Sequence, residues 1–265
     1  MGLKQWIGRQ LGVSRCRRVA LGERRAYPFP AGWIRVDWRD ADFNIDLVRS
    51  PKLPFRSQSK DLIYSAHLIE HLPHETLLEL LRECYRVLRP GGHIRLECPD
   101  AEKLFNLYRS ADRHMLDHFR KFRKEVLVAQ LGYSEEYLDD RFSLLGELAN
   151  YPIGERGWHA PPFASRDEFD EKLNHLELDD FARWCASLLT TEQRASGGHQ
   201  NAIYPKKLAH ALTQVGFCDI KQQSFGETGI PSLKLNDGPE SIIEKPHRQF
   251  YSLYMEATRP ADAVR

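Results

Sequence analysis

Three observations predict an α/β fold built on a mainly parallel sheet. Short apolar runs recur between residues 19 and 98, a strongly periodic helix stands between the last two of them, and Pro90-Gly91-Gly92 stops that helix. Strand, helix and strand joined by short links form a βαβ unit, and such units build parallel sheets. The first four strands read Val19-Ala20-Leu21-Gly22, Trp33-Ile34-Arg35-Val36-Asp37, Ile45-Asp46-Leu47-Val48 and Asp61-Leu62-Ile63-Tyr64-Ser65-Ala66. Leu77, Leu78, Leu81, Cys84, Tyr85 and Leu88 then recur at the spacing of one helix face. Ile94-Arg95-Leu96-Glu97-Cys98 is the fifth strand and ends at Pro99-Asp100. A central parallel strand is usually apolar on both faces, so Arg95 and Glu97 predict a thinly covered sheet face.

Residues 101–204 are charged and helix-rich, with segments expected near 101–112, 114–131, 135–149 and 166–190. The βα pattern resumes at Pro205, where Leu208, Leu212 and Val215 share one helix face. Cys218 to Lys221 reads as a strand, 225–233 as a loop and 249–257 as the last strand. The division expected is a basic arm at 1–17, a core at 18–100 and 205–258, and a helical insertion or lid at 101–204.

Bulk properties narrow the function classes. With 265 residues the chain holds one large domain, or one domain with a sizeable insertion. A net charge of +1 gives no global attraction to nucleic acid, so no nucleic-acid partner is expected. No apolar run is long enough to span a bilayer, and the start lacks the apolar region of a secretory signal. The cysteines Cys16, Cys84, Cys98, Cys185 and Cys218 are odd in number and scattered, as reduced thiols of a cytoplasmic protein would be. Lys4, Arg9, Arg15, Arg17, Arg18, Arg24 and Arg25 face one acid, Glu23, within the first 25 residues. That arm reads either as a weak hold on an anionic membrane surface or as a solvated segment packed on the domain.

The stretch His67-Leu68-Ile69-Glu70-His71-Leu72-Pro73-His74 begins with H-x-x-E-H, a zinc-peptidase pattern. Zinc peptidases carry that pattern on a long helix. Here a strand runs to Ala66 and Pro73 follows His71 closely, so no metal is expected. Ligands of open α/β sheets bind outside the carboxyl ends of the strands, where this stretch lies.

The blocks "GWIRVDW", "LPFRSQSKDLIYSAHLIEHLP", "LLRECYRVLRPGGHIRLECPD" and "GHQNAIYPKKLAHALTQVGFCDIKQQSFGETGIPSL" resemble the class I S-adenosylmethionine-dependent methyltransferases. The likeness is greatest to the small bacterial branch often encoded among polysaccharide-synthesis genes. It implies a doubly wound, seven-stranded sheet whose last strand is antiparallel, with S-adenosylmethionine as cofactor. It implies a cofactor pocket at Gly22, Asp37, Arg49, Ser65 and Ala66, with Asp37 accepting from the ribose hydroxyls. Two positions depart from the family pattern. Arg24 stands where a second glycine belongs, and Arg49 stands where an acid near the adenine is usual. Some ten residues between Gly22 and Trp33 also leave the first crossover helix very short or absent.

Candidate catalytic residues are His67, His71, Asp100, His199 and Tyr204. A histidine at the strand edge can take a proton from an acceptor hydroxyl, or it can hydrogen-bond backbone and shape the loop. Asp100 orients an acceptor or caps the next helix. Gln200, Asn201 and Glu227 are further candidates, the last without an assigned role. Trp158 and His159 sit in a loop where a Trp stacks on a sugar or is simply packed. His114 and His118 are one helical turn apart and read best as a solvated face. The leading expectation is methyl transfer to an oxygen or nitrogen of a small-molecule or saccharide acceptor. The alternative is a non-catalytic descendant with an eroded pocket that binds a partner.

Overall fold

The computed structural model describes residues 16–110, 164–189, 198–245 and 248–261, with short stretches between 116 and 158 and Thr191. Residues 1–15 of the basic arm, His114, His118, His159, the side chain of Trp158 and most of the helices expected between 114 and 149 lie outside the described residues.

Strands β1 (Arg18–Leu21), β2 (Trp33–Asp37) and β4 (Lys60–Ala66) fall where the apolar runs predict. The expected third strand at 45–48 is displaced: β3 is Phe43–Asn44, and the following residues turn. The reason is Asp46, whose Oδ1 accepts from Val48 N at 3.1 Å and Arg49 N at 3.3 Å. That side-chain-to-backbone turn competes with sheet pairing. Helix α1 (His74–Val87) ends before Pro90, and β5 (Leu88–Pro99) starts there, so Pro90-Gly91-Gly92 lies inside the strand's early part. Helix α2 (Ala101–Arg109), a short hairpin of β6 (Ile153–Gly154) and β7 (Gly157–Trp158), α3 (Arg166–His175) and α4 (Leu178–Ser187) follow. Helix α5 (Pro205–Val215), β8 (Cys218–Gln223) and β9 (Ser252–Thr258) complete the order.

The main sheet has seven strands in the order β3-β2-β1-β4-β5-β9-β8. Strands β1 to β5 pair in parallel, while β9 is antiparallel to both β5 and β8. Side chains alternate across β1: Val19 and Leu21 join one core with α1 and α5, whereas Ala20 joins the other with Trp33, Leu62 and Tyr64. A third cluster unites α2, α3 and α4 through Leu104, Phe105, Phe169 and Phe181.

No helix links β1 to β2. The intervening loop is stitched by Arg35, whose guanidinium donates to the carbonyls of Arg24 at 2.7 Å, Tyr27 at 3.1 Å and Phe29 at 3.2 Å. No helix ladder satisfies these carbonyls, and only Arg24 O has a further backbone donor, Tyr27 N at 3.2 Å, among the described residues.

The expectation of a thinly covered face is overturned. Arg95 is 0% and Glu97 1% exposed. Residues 225–244 lie over that face and bring Ile230, Leu233, Leu235 and Ile242 into its apolar core. They also bring Glu244, whose Oε1 meets Arg95 at 2.5 Å, while Glu256 of β9 meets it at 2.7 Å. All five cysteines are free thiols. Among the described residues no helix is long and apolar enough to cross a membrane.

Candidate active site

Strand order reverses between β1 and β4, which lie side by side with Leu21 paired to Ser65. In open α/β sheets the crevice outside the carboxyl ends at such a switch point is where ligands bind. Gly22, Asp37, Ser65, Ala66, His67 and Asp100 all end or follow strands on this edge.

Gly22 has φ +78°, and a Cβ placed on it would lie 3.1 Å from Leu68 Cβ. The turn after β1 and the loop after β4 therefore approach so closely that only glycine fits without strain. Asp37 is 7% exposed, and Oδ1 faces Arg39 N at 3.4 Å. Burial raises its carboxyl above the usual range, against the opposing pull of Arg24 and of the Arg39 and Trp38 backbone donors. Arg24 Nε stands 3.5 Å from Asp37 Oδ1, and its guanidinium lies 5.3 Å from the centre of the Trp38 ring. The side chain at the second-glycine position thus lies across the acid at the end of β2. The residues present still fit a nucleoside cofactor at the ribose end: a buried acid ends β2 and the first glycine of the turn is kept, while the second is replaced by Arg24. Arg24 is the element of this turn that has to swing away.

Glu23, next in the turn, is raised to about 7 by burial and by Glu97, against the opposing pull of Arg248, Lys245 and Arg35. Ionising this acid costs more in the folded chain than in the unfolded one, so stability falls as pH rises from 4.5 through about 7. A Glu23→Gln variant lacks this dependence. Thermal unfolding at about pH 5 and about pH 8 should show wild type losing on the order of 2 kcal/mol relative to the variant. Parallel pH profiles would contradict the burial of Glu23.

The loop after β4 opens with His67 at φ +50°, an uncommon conformation for a non-glycine residue. Its N–H donates to Glu97 O at 2.8 Å. Its ring is held on both sides, with Nδ1 3.2 Å from Glu70 Oε1 and Nε2 3.3 Å from Ser252 Oγ and 3.5 Å from Glu97 Oε1. Burial works against the charged imidazole, but Glu70 and Glu97 prevail and raise its pKa. Glu70 is 2% exposed. Burial alone would raise its carboxyl, yet His67, His71 and His199 hold it down at about 2. The His71 and His199 rings are 4.6 Å apart, and His199 Nε2 is 3.7 Å from Glu70 Oε1. Gln200 and Asn201 donate their backbone N–H groups to Glu70 O at 2.9 and 3.2 Å, which fastens the 199–201 segment to this loop.

Of the expected catalytic residues, His67, His71 and His199 come together around Glu70. Asp100 caps α2, accepting from Lys103 N at 3.1 Å. Tyr204 donates to Asp179 Oδ2 of α4 at 3.1 Å. Ser65 is 1% and Ala66 8% exposed at the end of β4. Arg49 has its side chain 78% exposed, with Nε 3.5 Å from Asp46 Oδ2. Sequence reasoning passed over Glu70 as a site residue, although it stands inside the H-x-x-E-H pattern. It also missed Glu97, Arg248 and Ser252, for which no local signal exists.

The fold and this edge define a class: a seven-stranded, switch-point α/β protein whose antiparallel strand β9 lies between β5 and β8. The family profile described as "Methyltransferase domain" matches residues 24–96. A ubiquinone/menaquinone biosynthesis C-methyltransferase from Bartonella tribocorum is 30% identical over 117 residues, which are 34% of this chain and 44% of that protein. The chain thus spans less than half the length of this curated relative. A SAM-dependent methyltransferase from Archaeoglobus fulgidus superimposes with a TM-score of 0.40 at 17% identity over 97% of this chain and 92% of that one. A methyltransferase from Mesorhizobium loti gives 0.39 at 15% identity, covering 97% and 99%. Residues 24–96 are thus similar to a methyltransferase domain, and the sheet that carries them has seven strands, mainly parallel, with β9 antiparallel.

Proposed function

We propose that this chain transfers a methyl group from S-adenosylmethionine to an oxygen or nitrogen of a small-molecule or saccharide acceptor. The observation that carries the reading is Asp37, a buried acid at the end of β2 beside the glycine cradle of Gly22. When bound, the cofactor supplies a methyl group on a positively charged sulfur. Asp37 accepts hydrogen bonds from vicinal ribose hydroxyls, which suit its two oxygens. Gly22 allows the backbone to approach the cofactor closely. In this reading His67, whose nitrogens face Glu70, Ser252 and Glu97, shapes the loop after β4 rather than taking the acceptor's proton. Much of the rate in such a reaction comes from positioning. The second reading, a binding module with a closed pocket, is favoured by Arg24 lying against Asp37.

Calorimetric titration with S-adenosylmethionine and S-adenosylhomocysteine separates the two. Micromolar binding by the wild type, lost at least tenfold in Asp37→Asn, is expected of the enzyme. Absence of heat from a folded wild-type sample supports the binding module instead. An Asp37→Asn variant that binds as tightly as wild type removes Asp37 from the ribose.

A further inference from the structure

We propose that Glu70, His71 and His199 form a binding site for a divalent first-row cation of the zinc class. Each offers one ligand atom, and these atoms lie within 4.8 Å of one another. Glu70 and His199 are 2% and 3% exposed. Both Glu70 carboxylate oxygens are buried without a well-directed hydrogen-bond donor. A buried carboxylate without such donors is costly unless a cation compensates it. A metal would do so by direct ligation.

Two imidazoles and one carboxylate are a common set for zinc with an open position. Ligand atoms in a tetrahedral site stand about 3.3 Å apart. His199 Nε2 and Glu70 Oε1 are already at 3.7 Å. His71 is only partly buried and provides a path for the ion to enter.

The ligand set differs from the one that the H-x-x-E-H spacing suggests. His67 belongs to that pattern but has its nitrogens engaged: Nδ1 lies beside Glu70 and Nε2 beside Ser252 and Glu97. It orients the carboxylate rather than ligating, as supporting partners of metal ligands do. The third ligand comes from His199 instead, held in place by the backbone bonds from Gln200 and Asn201 to Glu70 O. A bound cation would clamp the loop after β4 to the segment before α5, at the edge where the acceptor enters.

The inference stands on its own geometry and is tested on the full-length protein. Chelator-treated protein is dialysed against zinc sulfate and its metal content measured, and the zinc-loaded wild type is examined by X-ray absorption. Stoichiometric uptake with an imidazole-containing shell is expected, with uptake reduced at least tenfold in Glu70→Gln and in His199→Asn. His67→Asn should retain the metal. A folded wild type that takes up no stoichiometric zinc overturns the site, as does an absorption spectrum without imidazole scattering. Either result counts even if a variant fails to fold, because both are read on the wild type. Titration of the zinc-free protein with S-adenosylmethionine reports separately on the methyl-transfer reading.

Discussion

Replacing Arg95 by Met is expected to lower the unfolding free energy by about 3–5 kcal/mol, the range for stripping one partner from a buried ion pair. Arg95 is 0% exposed and serves two acids at once, Glu244 at 2.5 Å and Glu256 at 2.7 Å. It also donates to Glu227 O at 2.9 Å and lies 5.2 Å from the centre of the Tyr254 ring. Glu256 in turn accepts from Thr228 Oγ1 at 2.6 Å and Gly229 N at 2.8 Å, and Glu244 from Gly226 N at 2.7 Å. One cation therefore pins the whole 226–244 segment to the sheet through two carboxylates. Without it, two acids share a buried site with no counter-charge. Domains of this kind are stable by about 5–15 kcal/mol, so the variant should be marginal at room temperature. Urea unfolding followed by circular dichroism measures the change. A loss below about 1 kcal/mol would mean that the pair behaves like a solvated surface bridge.

Replacing Arg24 by Gly should tighten S-adenosylmethionine binding by roughly tenfold, about 1.4 kcal/mol. Before the ribose can reach Asp37, the guanidinium must leave its place 3.5 Å from Oδ1 and 5.3 Å from the Trp38 ring. A partly exposed ion pair contributes up to about 1 kcal/mol and a cation–π contact about 0.5–1 kcal/mol, which together account for the tenfold gain. The variant also restores the small residue that the family places in this turn. Calorimetry on wild type and variant under identical salt reads the effect. Weaker binding by Arg24→Gly would show the opposite role, with the arginine gripping the cofactor rather than guarding its place.

How far the chain could be read in advance differed from element to element. Strand β2 and helix α1 were legible because alternation and helical spacing depend only on near neighbours. The third strand was misplaced because Asp46 bonds its own backbone, which outweighs a four-residue apolar run. Arg95 and Glu97 looked like a sign of exposure, since their partners Glu244, Glu256, Tyr64 and Arg248 lie far along the chain and carry no mark of the pairing. Asp100 showed both of its alternatives at the outset; the helix that begins at Ala101 uses it as a cap.

Local patterning by itself determined the strands and helices of the parallel sheet, because each follows from the preferences of adjacent residues, whereas the meaning of Gly22 and Asp37 came from the resemblance. Only the folded chain decided that Arg24 leans on that acid and that His199 meets Glu70 and His71 in one buried cluster. Charges in a low-dielectric interior choose partners by proximity in space, and proximity across the sheet edge is set by packing rather than by spacing in the chain.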